Sequence, residues 1–202
     1  MAGQGIAHGP LGDHCLHLCV DMQRLFAPGG PWEVPWAQNV LPAIEEITAR
    51  HMHQTLFTRF IPVRNPEEAP GSWARYYRRW AQVTLERIDP AMVDLVPSLA
   101  QFAPPARVLD KHVYSPWTQG QLDPLLRDGS VDTLVITGGE TDQCVLATVL
   151  GAVDRGLRVV LVADAICSSL DSTHDALMQL YRSRFSEQIE VAEVQEILDS
   201  WR

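Results

Sequence analysis

The chain is short of the features that would mark several protein classes. Its four cysteines, Cys15, Cys19, Cys144 and Cys167, form no CxxC pair and have no zinc-ligand spacing, which argues against a dithiol motif and a zinc module. Positive charge is scarce: 16 Lys and Arg stand against 25 Asp and Glu, a net charge of −9. A nucleic-acid binder needs a basic footprint for phosphates, so that class is set aside. No apolar run exceeds strand length, so no membrane span is expected. Residues 1–13 lack the basic and apolar regions of a secretion signal. A cytoplasmic protein with reduced thiols is the expectation. Internal repeats and low-complexity tracts are absent as well.

What remains is an ordinary globular mixture, 46% hydrophobic in 202 residues, enough for one domain with a sizeable core. The whole chain, 1–202, is read as that domain. Residues 1–14 are expected to form a loose tail, and residues 61–90 an inserted lid or interface segment rich in Pro, Arg and aromatics.

Strands and helices alternate along the sequence. Strands are expected at Leu16–Val20, Gln54–Phe60, Arg107–Leu109, Thr133–Thr137, Leu157–Val162 and Gln188–Val191. Helices are expected at Val40–Arg50, Ser72–Trp80, Leu122–Leu126, Asp142–Arg155 and Ser172–Tyr181, with Ser172 or Thr173 capping the last, and a short one closes the chain near Leu198. The Gly138-Gly139 pair should break the fourth strand. The middle strands are continuous apolar runs, the pattern of a parallel sheet covered on both faces. In such sheets ligands bind beyond the carboxyl ends of the strands. Asp21, Lys111 and the Gly138–Cys144 loop each follow a different strand.

Those three places carry chemistry in combination. A cysteine entering a helix after a glycine pair meets unpaired backbone N–H groups and the helix dipole, which favour a thiolate or an oxyanion. Taken alone, Cys144 could equally be a core residue, Asp21 a loop cap, and Lys111 a solvated edge lysine. Together they make a nucleophile with a carboxylate to take its proton and a cation to lower its pKa.

The motifs resemble those of the isochorismatase-like cysteine hydrolases, which include nicotinamidases, N-carbamoylsarcosine amidases and biuret hydrolases. Asp21-Met22-Gln23-Arg24-Leu25-Phe26 fits the family's D-x-Q-x-x-F. Lys111-His112-Val113-Tyr114-Ser115 fits its lysine segment, and Gly138 to Val145 its G-x-x-T-x-x-C-V signature. Ala152–Asp164 fits the helix–strand stretch that follows. The resemblance implies a three-layer α/β/α fold with a six-stranded parallel sheet in the Rossmann-like order 3-2-1-4-5-6. It implies a catalytic Asp21–Lys111–Cys144 triad and a cis peptide between Gly139 and Glu140. It also implies an oxyanion hole from the Glu140 and Cys144 backbone N–H groups. Gln23, Phe26, Tyr114 and Trp117 are the candidate substrate contacts. Trp32, Trp36, Trp73, Tyr76 and Tyr77 could supply further aromatic walls.

The sequence departs from nicotinamidases in one respect. Those enzymes carry a D-x-H and a further histidine after the second strand, holding a metal. Here that stretch reads Thr58-Arg59-Phe60-Ile61-Pro62-Val63-Arg64, and no histidine lies between His53 and His112. No metal and no cofactor are therefore expected. The function implied is cleavage of a C–N bond in a small amide, carbamoyl or ureide substrate through a Cys144 thioester. Isochorismatase-type hydrolysis of an acidic vinyl ether, served by Arg59, Arg64, Arg75, Arg78 and Arg79, ranks second. A non-catalytic binding protein or a Cys144–Cys167 redox protein on the same fold is the rival from another class. Its partners are expected to be a small molecule and further copies of itself, as a dimer or tetramer.

Overall fold

The computed structural model describes residues 6–202. Strands β1 (Cys15–Val20), β2 (Thr55–Phe60), β3 (Arg107–Lys111), β4 (Thr133–Gly139), β5 (Arg158–Cys167) and β6 (Ile189–Ala192) form one sheet in the order β3-β2-β1-β4-β5-β6. Every pairing is parallel. β1 and β4 are buried along their whole length, as strands covered on both faces are.

Helices α1 (Ala37–Arg50), α3 (Pro97–Ala100) and α7 (Val194–Ser200) cover one face, and α2 (Ser72–Arg79) lies outside the three layers. Val40, Ile44 and Ile47 of α1 recur at helical spacing and meet Phe57, Val135 and Val160 of the sheet. Helices α4 (Leu122–Asp128), α5 (Leu146–Val153) and α6 (Asp171–Arg184) cover the other face. There Leu122, Leu126, Val149, Met178 and Tyr181 pack on Leu18, Ile136 and Leu161. A third, aromatic cluster forms beyond the strand ends, where Phe60 and Tyr77 gather Phe26, Trp32, Trp73 and Tyr76.

Several boundaries differ from the sequence expectation. β4 runs through the glycine pair instead of breaking at it. Gly138 adopts φ +99, and a Cβ there would meet Val20 O at 2.2 Å, so the strand continues only because the residue has no side chain. β5 extends to Cys167 beyond a register shift opposite Ile136 and Gly138. No side chain caps α6: it starts after Leu170, and Thr173 donates back to Leu170 O instead. Of the expected loose tail, residues 1–5 lie outside the described residues. From Ala7 the chain is held, because the Ala7 and His8 N–H groups donate to Glu190 Oε2 and Leu11 is buried beside Trp201. Among the described residues no helix is long and apolar enough to cross a membrane.

Candidate active site

The carboxyl ends of β1, β3 and β4 bring Asp21, Lys111 and Cys144 together. Asp21 follows β1 with φ +53, a conformation that aspartate tolerates better than most residues. Its backbone N–H donates to Thr58 O at 3.2 Å, and its Oδ1 accepts from Thr58 Oγ1 at 2.6 Å. Oδ2 faces Lys111 Nζ at 2.6 Å. The ammonium also donates to Cys144 Sγ at 3.3 Å and to Val113 O at 3.2 Å. The ammonium thus has two hydrogen-bond acceptors and an ion-pair partner, and Lys111 is only 1% exposed.

Electrostatics follow from this arrangement. Burial pushes the Cys144 thiol well above its ordinary value; the nearby Lys111 charge pulls it down, and Asp21 pushes it up again. Burial therefore favours the neutral thiol. For Lys111, burial opposes the charge, but the Asp21 carboxylate and Cys144 outweigh it and raise the ammonium above the usual lysine value. Both shifts act in the same direction, toward a charged lysine beside a protonated sulfur. A proton must leave the sulfur before it can attack, and the neighbouring carboxylate can receive it.

The loop that presents Cys144 is tied down on all sides. The Gly139–Glu140 peptide is cis. Residues Thr141–Val145 form a single π-helical turn ahead of α5, rather than the expected first turn of an α-helix. Glu140 O accepts from Gln143 N and Val145 N and skips the Cys144 N–H between them. The Glu140 carboxylate accepts from Gln143 Nε2 at 2.9 Å and from Ser169 N at 2.7 Å. Thr141 Oγ1 donates to Cys167 O and contacts His174 Nδ1 at 2.9 Å. Asp142 accepts from Ser168 and Thr173.

A cavity of about 320 Å³ opens over Cys144. Phe26 and Tyr114, two of the candidate contacts, line it together with Trp32, Phe60, Tyr76 and Trp80. Gln23 and Trp117 do not line it. Gln23 is 1% exposed; its amide donates to Phe60 O and Val93 O, and its carbonyl accepts from Phe60 N. It clamps the end of β2 and has no free group to offer a ligand. Trp117 lies against α5 instead, donating Nε1–H to Thr148 O and packing so closely on Gly151 that a Cβ there would meet its ring at 2.2 Å. Of the other expected aromatic walls, Trp32 and Tyr76 reach the cavity. Trp73 packs behind them, 5.3 Å from Tyr76.

Two contributors, Thr58 and Phe60, were not foreseen, and a third, Trp80, comes from the segment expected to be a lid or interface. Thr58, on β2, orients Asp21. Phe60 and Trp80 line the cavity, Phe60 with its ring 5.3 Å from the Lys111 charge. One signal in the sequence was available: Lys111 is the chain's single lysine, every other basic residue being arginine. A compact ammonium with rotatable donors suits a narrow buried site that a planar guanidinium does not fit.

The arginines expected to serve an acidic substrate are engaged elsewhere. Arg59 pairs with Asp110 at 2.7 Å and with Asp94 at 3.3 Å, and Arg64 pairs with Glu86 at 3.2 Å. Arg75, Arg78 and Arg79 do not line the cavity. At the end of β2, Thr58 is bonded to Asp21 and the Phe60 ring faces the Lys111 charge. His112 bonds Ile61 O through Nδ1. Among the described residues no three His, Cys, Asp or Glu side chains converge as a ligand set. Cys167 is buried, and burial pushes its thiol up to about 12. All four cysteines are unbridged.

Comparison with known proteins agrees with this architecture. A maleamate amidohydrolase from Pseudomonas putida is 29% identical over 174 residues, covering 79% of this chain and 75% of that protein. An N-carbamoylsarcosine amidase from an Arthrobacter species is 25% identical over 154 residues, covering 69% of this chain and 53% of that protein. The crystal structure of a cysteine hydrolase from Pseudomonas syringae pv. phaseolicola superposes with a TM-score of 0.78 at 22% identity, covering 99% of this chain and all of that one. The isochorismatase domain model matches residues 15–193, from the first strand to the residue after the last. By its sheet order, its site and that match, the chain belongs to the isochorismatase family.

Proposed function

We propose that the protein is a metal-independent amidohydrolase that cleaves a C–N bond of a small amide or carbamoyl compound through a thioester on Cys144. The observation that carries this reading is the single ammonium of Lys111 lying between the Asp21 carboxylate and the Cys144 sulfur, at 2.6 and 3.3 Å, with Cys144 itself lining a cavity. The named activities of the two curated relatives, a maleamate amidohydrolase and an N-carbamoylsarcosine amidase, support the same bond class.

In this mechanism substrate fills the cavity and excludes water. Asp21 takes the thiol proton as the sulfur attacks the carbonyl carbon, and Lys111 offsets the charge that appears on sulfur. The backbone N–H groups of Glu140 and Cys144 receive the oxyanion; the Cys144 N–H that Glu140 O skips supports that role. Asp21 then returns the proton to the leaving nitrogen, which departs as ammonia or an amine, leaving the acyl group on sulfur. Asp21 next deprotonates a water, which attacks the thioester and releases the acid and the thiol. Proton transfer of this kind is worth about 10² to 10⁴-fold and each oxyanion donor about 10² to 10³-fold.

Isochorismatase-type chemistry on a dicarboxylate is the weaker reading, because no arginine or lysine side chain lines the cavity. The deciding experiment is an ammonia-release screen over small amides, carbamoyl compounds and ureides, with isochorismate included. Ammonia release that vanishes in Cys144→Ala supports the reading; turnover of isochorismate alone would reject it. Assembly as a homo-oligomer is part of the same proposal, with the exposed Trp36 and Leu170 as apolar contact points. Light scattering that finds a monomer at micromolar concentration would remove that part.

A further inference from the structure

The side chains around Cys144 carry an unusual balance of charge. The cavity walls are aromatic: Phe26 stacks on Trp32 at 6.2 Å, and Trp32 meets Tyr76 at 5.9 Å and Trp80 edge-on at 6.2 Å. Both charged side chains at the wall are carboxylates, Glu33 and Glu140. Glu140 is half-buried with both oxygens bonded, to Gln143 and Ser169. Glu33 is exposed, and Gly29 N–H donates to its Oε2. That leaves Oε1 for a ligand. The Lys111 charge below is balanced by Asp21 at 2.6 Å. No cationic side chain lines the cavity.

Aromatic faces carry negative charge density and attract cations, most strongly when several rings share one desolvated site. A carboxylate at the mouth adds to that attraction, and the chain's net charge of −9 raises the local concentration of cations around it. We propose that the cavity recognises a cationic head group, of the quaternary-ammonium or alkylammonium kind, carried on the acyl part of the amide. Trp32, Tyr76 and Trp80 form the cage, and Glu33 supplies the counter-charge. This rests on the amidohydrolase reading for the reaction, but the cage is testable without turnover.

The probes are isosteric. Trimethylammonioacetamide and 3,3-dimethylbutanamide differ only in a nitrogen for a carbon, hence in charge; succinamate supplies the opposite sign. Longer homologues of each, with one or two further methylenes, allow for the depth of the cavity. Binding is measured by calorimetry on the full-length Cys144→Ala protein, which cannot turn them over, and kcat/KM is measured on the wild type. The cationic amide should bind about ten-fold or more tightly than its neutral isostere. Glu33→Gln should narrow that ratio, and Trp80→Leu should narrow it further. Equal binding of the pair, a preference for succinamate, or no binding by any member overturns the cage. Preferential binding of the cation with no hydrolysis of any amide by the wild type would keep the cage and overturn the hydrolase reading, so the two failures are distinct.

Discussion

Two buried polar centres sit four residues apart, one on β1 and one just past its end, and they differ in kind. His17, in the middle of β1, is fully buried between Thr55 and Thr137, with ring nitrogens 3.2 and 2.8 Å from their hydroxyls. Asp21, just past the end of β1, is as deeply buried but faces an ammonium that also meets the Cys144 thiol, and that thiol lines a cavity. The first centre is neutral: burial, with a small contribution from His51, lowers the imidazole to about 3. Both its nitrogens have partners and it adjoins no cavity, so it can hold three strands together and do little else. The second keeps a charge pair out of water beside a sulfur that carries a proton. A buried ion pair is a weak source of stability; its worth here lies in what it does to the sulfur. Burial alone marks neither centre as functional. Charge beside a thiol at an open strand end is what carries the proposed role.

Four substitutions would break or sharpen that contrast. The largest effect is expected from Cys144→Ala, which should abolish ammonia release while the urea midpoint stays near wild type, since a small apolar side chain replaces a small buried thiol. Asp21→Asn keeps the shape and removes the proton acceptor; kcat should fall by about 10² to 10⁴-fold. Stopped-flow or discontinuous ammonia assays would check both.

Lys111→Met should lower stability as well as activity, because it strands the Asp21 carboxylate at 1% side-chain exposure. Breaking a buried pair in this way costs about 3 to 5 kcal/mol. The double variant Asp21→Asn with Lys111→Met should recover much of that stability and none of the activity, a result readable from urea titrations. Wild-type stability at high pH follows from the raised Lys111 value. The contribution of the charged lysine is complete below the ordinary lysine pKa and is lost as pH rises through the raised folded value.

His17 should behave in the opposite way. Its folded pKa of about 3 lies below the ordinary 6.5, so the folded state binds fewer protons than the unfolded one. Its contribution is complete above the ordinary value and is lost as pH falls from there toward the folded value, a change on the order of a few kcal/mol. His17→Gln should flatten the dependence of the urea midpoint on pH between those limits while ammonia release at neutral pH persists. If His17→Gln abolished activity and left the pH dependence untouched, the contrast between the two centres would collapse.

Much of this was legible in the sequence. Apolar runs placed all six strands, and the residues at their ends named Asp21, Lys111 and Cys144. Those signals are local, since a strand end is marked by the change from apolar to polar side chains. The errors came where long-range contacts decide. Gln23 and Trp117 follow the motif residues closely in sequence, yet β2 captures the first through the Phe60 backbone and Gly151 of α5 receives the second. Trp80 and Trp32 are far apart in the chain and meet only because the segment between β2 and β3 folds back over the strand ends. The Gly138-Gly139 pair reads as a break because glycine weakens a strand, but there the close approach of Val20 makes it a condition for the strand to continue.

The account rests on a covalent intermediate at Cys144. Wild-type protein mixed with a slowly cleaved small amide, quenched in acid within the first turnovers and analysed by intact mass and peptide mapping, should carry one acyl group on the peptide containing Cys144. The adduct should be absent in Cys144→Ala and released by hydroxylamine. Steady turnover with no adduct at any quench time, or an adduct on Cys15, Cys19 or Cys167 instead, would contradict it.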